Sequence, residues 1–243
     1  MGTKAHGRAG SEAATGAVVT AARPSKSKTA RASSTPSALA LSPDCDLAIR
    51  LLMLTLAQHR RSESLLAVRS PVRGRLKVLP PDSVNSRIRC ESVLVRSVSI
   101  MESYVHRQLA SRLATLAPPP RSGLVEQLYA DFEEKGITSW AQTDVYFKEH
   151  VDRSIKIKTY GSWNQVSAVI EARNAVVHGL GAFTARQTRR QVPQKVDTHL
   201  KALRFDISPD RRRVLVTQGA VEETAILLRR YLGWLDDLIS AVP

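Results

Sequence analysis

Apolar residues recur at helical spacing through much of the chain, and the longest such pattern begins at residue 94. Large apolar side chains follow one another there at steps of three and four residues, at Leu94, Val98, Met101, Val105, Leu109, Leu113 and Leu116. This spacing places them on one face of a single helix. Three consecutive prolines at 118–120 predict its end, because proline cannot continue a helix.

Shorter helices are predicted on both sides of this long one. Ser42, Pro43 and Asp44 are typical of an N-cap, a first helical position and an acidic first turn, so a helix should begin there and run to about His59. The basic stretch 60–89 is interrupted by prolines and a glycine and is predicted to be a loop. Further helices are predicted over residues 124–132, 140–150, 162–178, 194–203 and 220–240.

The period changes from helical to alternating just before the last predicted helix. Apolar residues alternate with polar ones at Leu203, Phe205, Ile207, Val214 and Val216. A proline-containing turn separates the two runs, which predicts a short β-hairpin. The last helix would then carry Glu222 and Glu223 in its positive first turn. The predicted fold is therefore mainly α, a helical bundle with one short β-hairpin before the C-terminal helix.

Residues 1–42 differ in composition from the rest of the chain. They are rich in Ala, Ser, Thr and Gly, and they carry six Lys or Arg residues against one acidic residue. Such a segment buries too little apolar surface to offset its ordering entropy. Its Arg, Ser and Ala bias is also that of an organelle transit peptide, although no clear amphipathic stripe accompanies it. We predict a disordered basic tail over 1–42 and a helical domain over 43–243.

The charge of the chain bears on its partners. A formal net charge of +14 favours a polyanion such as nucleic acid or an anionic membrane. The best membrane candidate, 47–57, contains Arg50 and is too short to span a bilayer, so we expect no membrane partner. Cys45 and Cys90 form no metal-binding or redox spacing, which is typical of a protein of the reducing cytoplasm.

The segment 171–179 combines the side chains with the clearest chemistry. Arg173 and Asn174 are followed by His178 near the predicted end of a helix. Cleavage of RNA by its own 2′-hydroxyl needs a base, an acid and positive charge on the phosphate. Histidine can serve as base or acid near neutral pH, and arginine offers a phosphate a fixed charge with forked donors. This chemistry requires no metal and no other cofactor.

The Arg-Asn-His motif formed by these three residues resembles the signature of the HEPN superfamily, an arginine, a polar residue, three further residues and a histidine. Trp163 lies before the motif, and a short hairpin with a final helix follows it. An earlier helix carries a Glu-aromatic pattern, Glu102-Ser103-Tyr104. These features are most similar to the RiboL-PSP-HEPN group, and the resemblance covers about residues 85–240.

This resemblance implies a metal-independent endoribonuclease, acting on RNA as a toxin or defence effector and restrained by an antitoxin protein. Arg173, Asn174 and His178 would be catalytic, with Glu102 as a supporting carboxylate. The family also implies a homodimer with a composite active site. Positions five apart, such as Arg173 and His178, are separated by about 140° around a helix axis, and a two-fold axis would bring second copies of both into one cleft.

Simpler interpretations remain for the same residues. A histidine in the last turn of a helix complements the negative helix end, and Glu102 can be an ordinary surface residue. His106, one turn beyond Glu102, is either a second polar contact or a surface residue. The cluster of Arg186, Arg189 and Arg190 could bind RNA phosphates or form a solvated charged face. The alternatives to an endoribonuclease are therefore a non-catalytic HEPN module that binds RNA, a nucleotide or a protein, and a structural helical protein.

Overall fold

A long central helix with other helices packed around it organises the described part of the chain. The computed structural model describes residues 40–68, 83–116, 123, 126, 127 and 139–242. The α-helices within those residues are α1 (Pro43–Val68), α2 (Ser83–Leu116), α3 (Trp140–Tyr146), α4 (Trp163–Gly179), α5 (Ala185–Arg189), α6 (Val192–Ala202) and α7 (Gln218–Ser240). Two antiparallel strands, β1 (Asp206–Ile207) and β2 (Val214–Leu215), precede α7. The predicted fold class, mainly α with one short hairpin before the C-terminal helix, is confirmed.

The core is centred on α2, which packs against α1, α4 and α7. Its predicted apolar face is confirmed, since the side chains at six of the seven predicted positions are buried, at Leu94, Val98, Met101, Val105, Leu109 and Leu113. The helices α1 and α7 also pack against each other, and α4 packs against α6. Burial of a continuous apolar stripe on the longest helix is thus what holds the surrounding helices in place.

A buried hydrogen-bond cluster joins the start of α1 to α2 and α7. The hydroxyl of Ser42 accepts a hydrogen bond from the backbone N–H of Cys45 at 3.2 Å, which confirms the predicted N-cap. The carboxylate of Asp236 on α7 accepts bonds from the Ser42 N–H at 2.8 Å, from the Ser42 hydroxyl at 2.5 Å and from the Tyr104 hydroxyl at 2.7 Å. Burial raises the pKa of Tyr104, and the bond to Asp236 raises it further. Three helices therefore meet at one carboxylate.

The predicted loop over 60–89 is wrong at both ends. The helix α1 continues past His59 to Val68, and α2 begins at Ser83. Ion pairs accompany these polar helical turns: Arg60 Nε lies 3.0 Å from Glu222 Oε1, and Arg89 Nε lies 2.6 Å from Glu63 Oε1. These turns lie beyond the apolar stripes of the two helices, so periodicity alone could not detect them.

Smaller differences concern the other predicted elements. The last helix begins at Gln218, with Thr217 as N-cap accepting from the Ala220 N–H at 3.0 Å. Glu222 and Glu223 therefore lie beyond the first turn, contrary to the prediction, and they pair with arginines of other segments. A single π-helical turn, Phe147–Val151, continues directly from α3.

Several predictions concern residues that lie outside the described ones. They are the tail over 1–39, the prolines at 118–120 and most of the helix over 124–132. Among the helices of the described ranges, none has the length and apolar character needed to cross a membrane.

Candidate functional site

The Arg-Asn-His motif lies in the second half of α4, and the sequence explains how this helix begins and ends. Its first residue, Trp163, follows Ser162 as predicted. Gly179 is the last helical residue, and the left-handed conformation falls on Leu180, with φ 51°, and on Gly181, with φ 87°. A side chain at Gly181 would also meet the Val214 carbonyl oxygen at 3.1 Å, so this turn packs tightly against β2.

Helical periodicity decides which part of the motif is available for chemistry. Ala172, Ala175 and Val176 face the core and are buried. Arg173 and Asn174 are half-buried, and His178 is exposed. Val177, by contrast, is exposed. Small buried residues on the inner face let α4 pack closely on its neighbours while the motif side chains reach the surface.

These motif side chains line a cleft of about 540 Å³ that is also lined by α2, α3 and α5. Six of the seven predicted site residues lie on its walls, namely Glu102, Arg173, Asn174, His178, Arg186 and Arg190. The remaining one, Arg189, is not part of the lining, and its Nε donates to the Ala185 carbonyl oxygen at 3.4 Å instead. The cleft thus brings together predicted site residues that are up to 88 positions apart in the sequence.

A chain of hydrogen bonds runs across the cleft through the guanidinium of Arg173. One terminal nitrogen, Nη2, donates to Glu102 Oε2 at 2.6 Å, and the other, Nη1, donates to Asn174 Oδ1 at 3.0 Å. Arg173 Nε is buried and has no hydrogen-bond partner within the described ranges. We refer to Glu102, Arg173 and Asn174 together as the central triad.

The carboxylate of Glu102 is held in an environment with opposing electrostatic effects. Burial raises the pKa of Glu102, while the charge of Arg173 and the hydrogen bond from Trp140 lower it, and burial prevails. The side chains of Arg173 and Glu102 are only 22% and 21% exposed. A partly buried pair of this kind is screened by salt less than a surface pair, so Glu102 holds Arg173 in a defined position.

Two histidines lie on the walls of the cleft. His178 is in the last turn of α4, and His106 is half-buried on α2, one turn beyond Glu102. Burial lowers the pKa of His106. Neither imidazole makes a hydrogen bond to any residue that the structure describes. The sequence singled out His106 only as an open possibility, and tertiary structure places it beside the motif.

The short helix α5 supplies the basic wall of the cleft, and Gln187 anchors it. Thr184 and Gln187 form a capping box at the start of α5. The buried Gln187 side chain then donates to Glu171 Oε2 at 2.7 Å and to the Glu171 carbonyl oxygen at 2.9 Å. This link between α5 and α4 turns Arg186 and Arg190 toward the cleft. Gln187 was not among the predicted site residues, although the Thr-x-x-Gln spacing is a recognisable signal of a capping box.

Aromatic side chains form a further wall. Trp140 and Trp163 meet edge to face with ring centroids 5.6 Å apart, and Trp163 also contacts Tyr231, with centroids 5.9 Å apart. Both tryptophans are half-buried. The cleft therefore combines three arginines, two histidines and an aromatic surface, which are the kinds of group that bind a phosphodiester and its neighbouring bases.

No group of three or more His, Cys, Asp and Glu side chains within the described ranges is arranged to hold a metal ion. Comparison with protein families, with curated proteins and with solved structures finds no match for this chain.

Proposed function

We propose that this protein is a metal-independent endoribonuclease of the HEPN type, which cleaves RNA through attack of the 2′-hydroxyl on the adjacent phosphate. One observation carries the proposal: a single cleft contains Arg173, Asn174 and His178 together with the basic side chains of α5. Arginine and histidine are the groups that this reaction needs, and here they come from both ends of one motif.

In the proposed reaction, the 2′-oxygen attacks phosphorus as its proton passes to a base, and the bond to the 5′-oxygen breaks as that oxygen takes a proton from an acid. His178 would transfer one of these protons. Arg173 would stabilise the charge that accumulates on the phosphate in the transition state. The products are a 2′,3′-cyclic phosphate and a 5′-hydroxyl, and no other reactant is consumed.

The biological role that accompanies this proposal is that of a cytoplasmic toxin or defence effector with RNA as its substrate. An antitoxin protein would restrain the activity. We also expect a homodimer, with two copies of the motif near one two-fold axis. The net charge of +14 favours association with a polyanion, which is compatible with this substrate class.

The proposal is tested by incubating the purified protein with RNA in the presence of EDTA. We expect fragments with 2′,3′-cyclic phosphate ends, and we expect the His178→Ala variant to lose them. His199→Ala is the matched control, because His199 lies on α6 and is not part of the cleft lining. If wild-type protein cleaves none of a varied set of RNAs, the proposal fails. Salt-sensitive RNA binding without cleavage, unchanged in His178→Ala, would instead identify a non-catalytic binding module.

A second prediction concerns the basic wall of the cleft. Replacing Arg186 and Arg190 together with alanine should weaken RNA binding and reduce the slope of log affinity against log salt by roughly 1.4, about 0.7 for each lost phosphate contact on a single strand. Arg189→Ala is the control on the same helix, because Arg189 lies outside the cleft lining. Binding titrations at several salt concentrations measure both the affinity for RNA and the salt slope. Equal effects of the two changes would argue against RNA contact inside this cleft.

A further inference from the structure

The two helices that carry the cleft histidines run antiparallel. Near the start of α2, Arg87 Nη2 donates to the Leu180 carbonyl oxygen, just beyond the end of α4, at 3.2 Å. Further along α2, Glu102 meets Arg173, which lies closer to the start of α4. Moving toward the C-terminus of α2 therefore means moving toward the N-terminus of α4.

This direction places the two histidines on opposite sides of the Glu102–Arg173 pair, and both lean toward it. The Cα–Cβ bond of a helical residue tilts toward the N-terminus of its helix. His106 therefore leans back toward Glu102, four residues earlier, and His178 leans back toward Asn174, also four residues earlier. Side chains at this spacing are neighbours, with Cβ atoms about 5–6 Å apart. Because the helices are antiparallel, both histidines lean toward the central triad, one from each side.

We infer that His106 is the second proton-transferring group of the proposed ribonuclease site, so that one chain carries both histidines that cleavage requires. This inference rests on the proposed function and adds the group that the Arg-Asn-His motif lacks. His106 takes the proton of the 2′-hydroxyl as the 2′-oxygen forms its bond to phosphorus. His178 gives a proton to the 5′-oxygen as the old bond breaks, and Arg173 stabilises the phosphate between them.

The assignment of base and acid follows the surroundings of His106. Burial lowers its pKa, so the imidazole is neutral near pH 7 and able to accept a proton. The titratable and charged residues that line the same cleft are Glu102 on α2, Glu171, Arg173 and His178 on α4, Arg186 on α5, and Arg190 just after α5. With the arginines permanently charged and His106 as base, His178 is the remaining histidine for the acid step.

The other histidines of the described ranges do not compete for this role. His59 is buried beside Cys90, with Nε2 3.8 Å from Sγ, and His150 packs against the ring of Tyr146. Neither of them, nor His199, lines the cleft. Position in the fold, rather than the presence of a histidine, therefore distinguishes His106.

The first experiment measures RNA cleavage by His106→Ala and His106→Gln, with His199→Ala as the control and thermal unfolding as a check on the fold. We expect both His106 variants to lose at least about 100-fold in rate, the ordinary contribution of a general acid or base. Wild-type activity should fall toward acidic pH as the base becomes protonated. The residual activity of the His106 variants should not show this fall. Rates and pH profiles like those of wild type in a folded His106 variant would overturn the inference.

The second experiment assigns the roles with a nucleoside 3′-(p-nitrophenyl phosphate), whose leaving group departs without protonation. His178→Ala should regain most of its rate on this substrate, while His106→Ala should not. Recovery by His106→Ala instead would overturn the assignment of His106 as base.

Mixing the two variants tests whether one chain supplies both histidines. If His106 and His178 act within one chain, a mixture of His106→Ala and His178→Ala contains no complete site and stays inactive on RNA. Recovery of activity in the mixture would overturn the single-chain arrangement. If the wild-type protein cleaves no RNA, the proposed function fails and this inference fails with it. If cleavage is lost in His178→Ala but kept in His106→Ala, only the inference fails.

Discussion

Replacement of Arg173 with alanine should lower the rate of RNA cleavage by about 10³- to 10⁵-fold, the range found for arginines that stabilise charge in phosphoryl transfer. The expected effect is large because Arg173 is positioned before substrate binds: Glu102 holds one terminal nitrogen and Asn174 the other. A preorganised charge needs no rearrangement during the reaction. Single-turnover cleavage of a labelled RNA measures the loss. A rate within tenfold of wild type would contradict a catalytic role for Arg173.

The same substitution should also affect stability, because it leaves the Glu102 carboxylate without its cation. Burial already raises the pKa of Glu102 above its ordinary value of 4.5, and removal of Arg173 would raise it further. A carboxyl whose pKa is higher in the folded than in the unfolded state destabilises the fold as the pH rises above the unfolded value. Arg173→Ala should therefore unfold more easily at pH 7 than at pH 4.5, relative to wild type.

A double variant separates the two effects. Glu102→Gln combined with Arg173→Ala removes the uncompensated charge, so the stability lost at neutral pH should return while cleavage stays low. Arg173→Lys keeps the charge but loses the fork that bonds Glu102 and Asn174 together, and we expect it to recover only part of the rate. If the double variant cleaves RNA like wild type, Arg173 acts on the fold rather than on the phosphate.

Asp236→Ala should reduce the free energy of unfolding by about 3 kcal/mol or more. The carboxylate accepts three hydrogen bonds, from the backbone and hydroxyl of Ser42 and from the hydroxyl of Tyr104. Each donor left without an acceptor in a buried site costs about 1–3 kcal/mol. Asp236 is 3% exposed, so water has little access to replace the carboxylate. Chemical denaturation at constant pH measures the change.

Two further variants serve as comparisons for the stability of Asp236→Ala. Asp237→Ala alters the neighbouring exposed acid and should leave stability within about 0.5 kcal/mol of wild type, as is usual for surface substitutions. Tyr104→Phe removes one donor and leaves the other two bonds in place, so it should cost about 1 kcal/mol. Equal stability of the Asp236 and Asp237 variants would show that the cluster joining α1, α2 and α7 contributes nothing measurable.

Local patterns predicted the elements whose buried face is encoded within one stretch of chain. The apolar positions of α2 from Leu94 to Leu113 follow helical steps, and all of them are buried. The start of α1 after Ser42 was also predicted, because a capping residue acts within one turn. The start of α4 agrees with its predicted range, but the Ser162 side chain makes no capping hydrogen bond. The hairpin before α7 was predicted from its change of period. The limits of α1 and α2 were not, since Arg60 and Arg89 depend on partners in other helices.

At the cleft, the contribution of the sequence is easier to distinguish from that of the tertiary structure. The sequence by itself determined which chemistry is present, because Arg173, Asn174 and His178 sit close together on one predicted helix. Only the tertiary structure decided what surrounds them. It placed His106 beside them across the antiparallel α2, and it turned Arg186 and Arg190 toward the cleft while Arg189 was left outside it. The physical reason is that helical periodicity describes angles within one helix, whereas the direction a face points depends on packing between helices, such as the Gln187 anchor of α5 on Glu171.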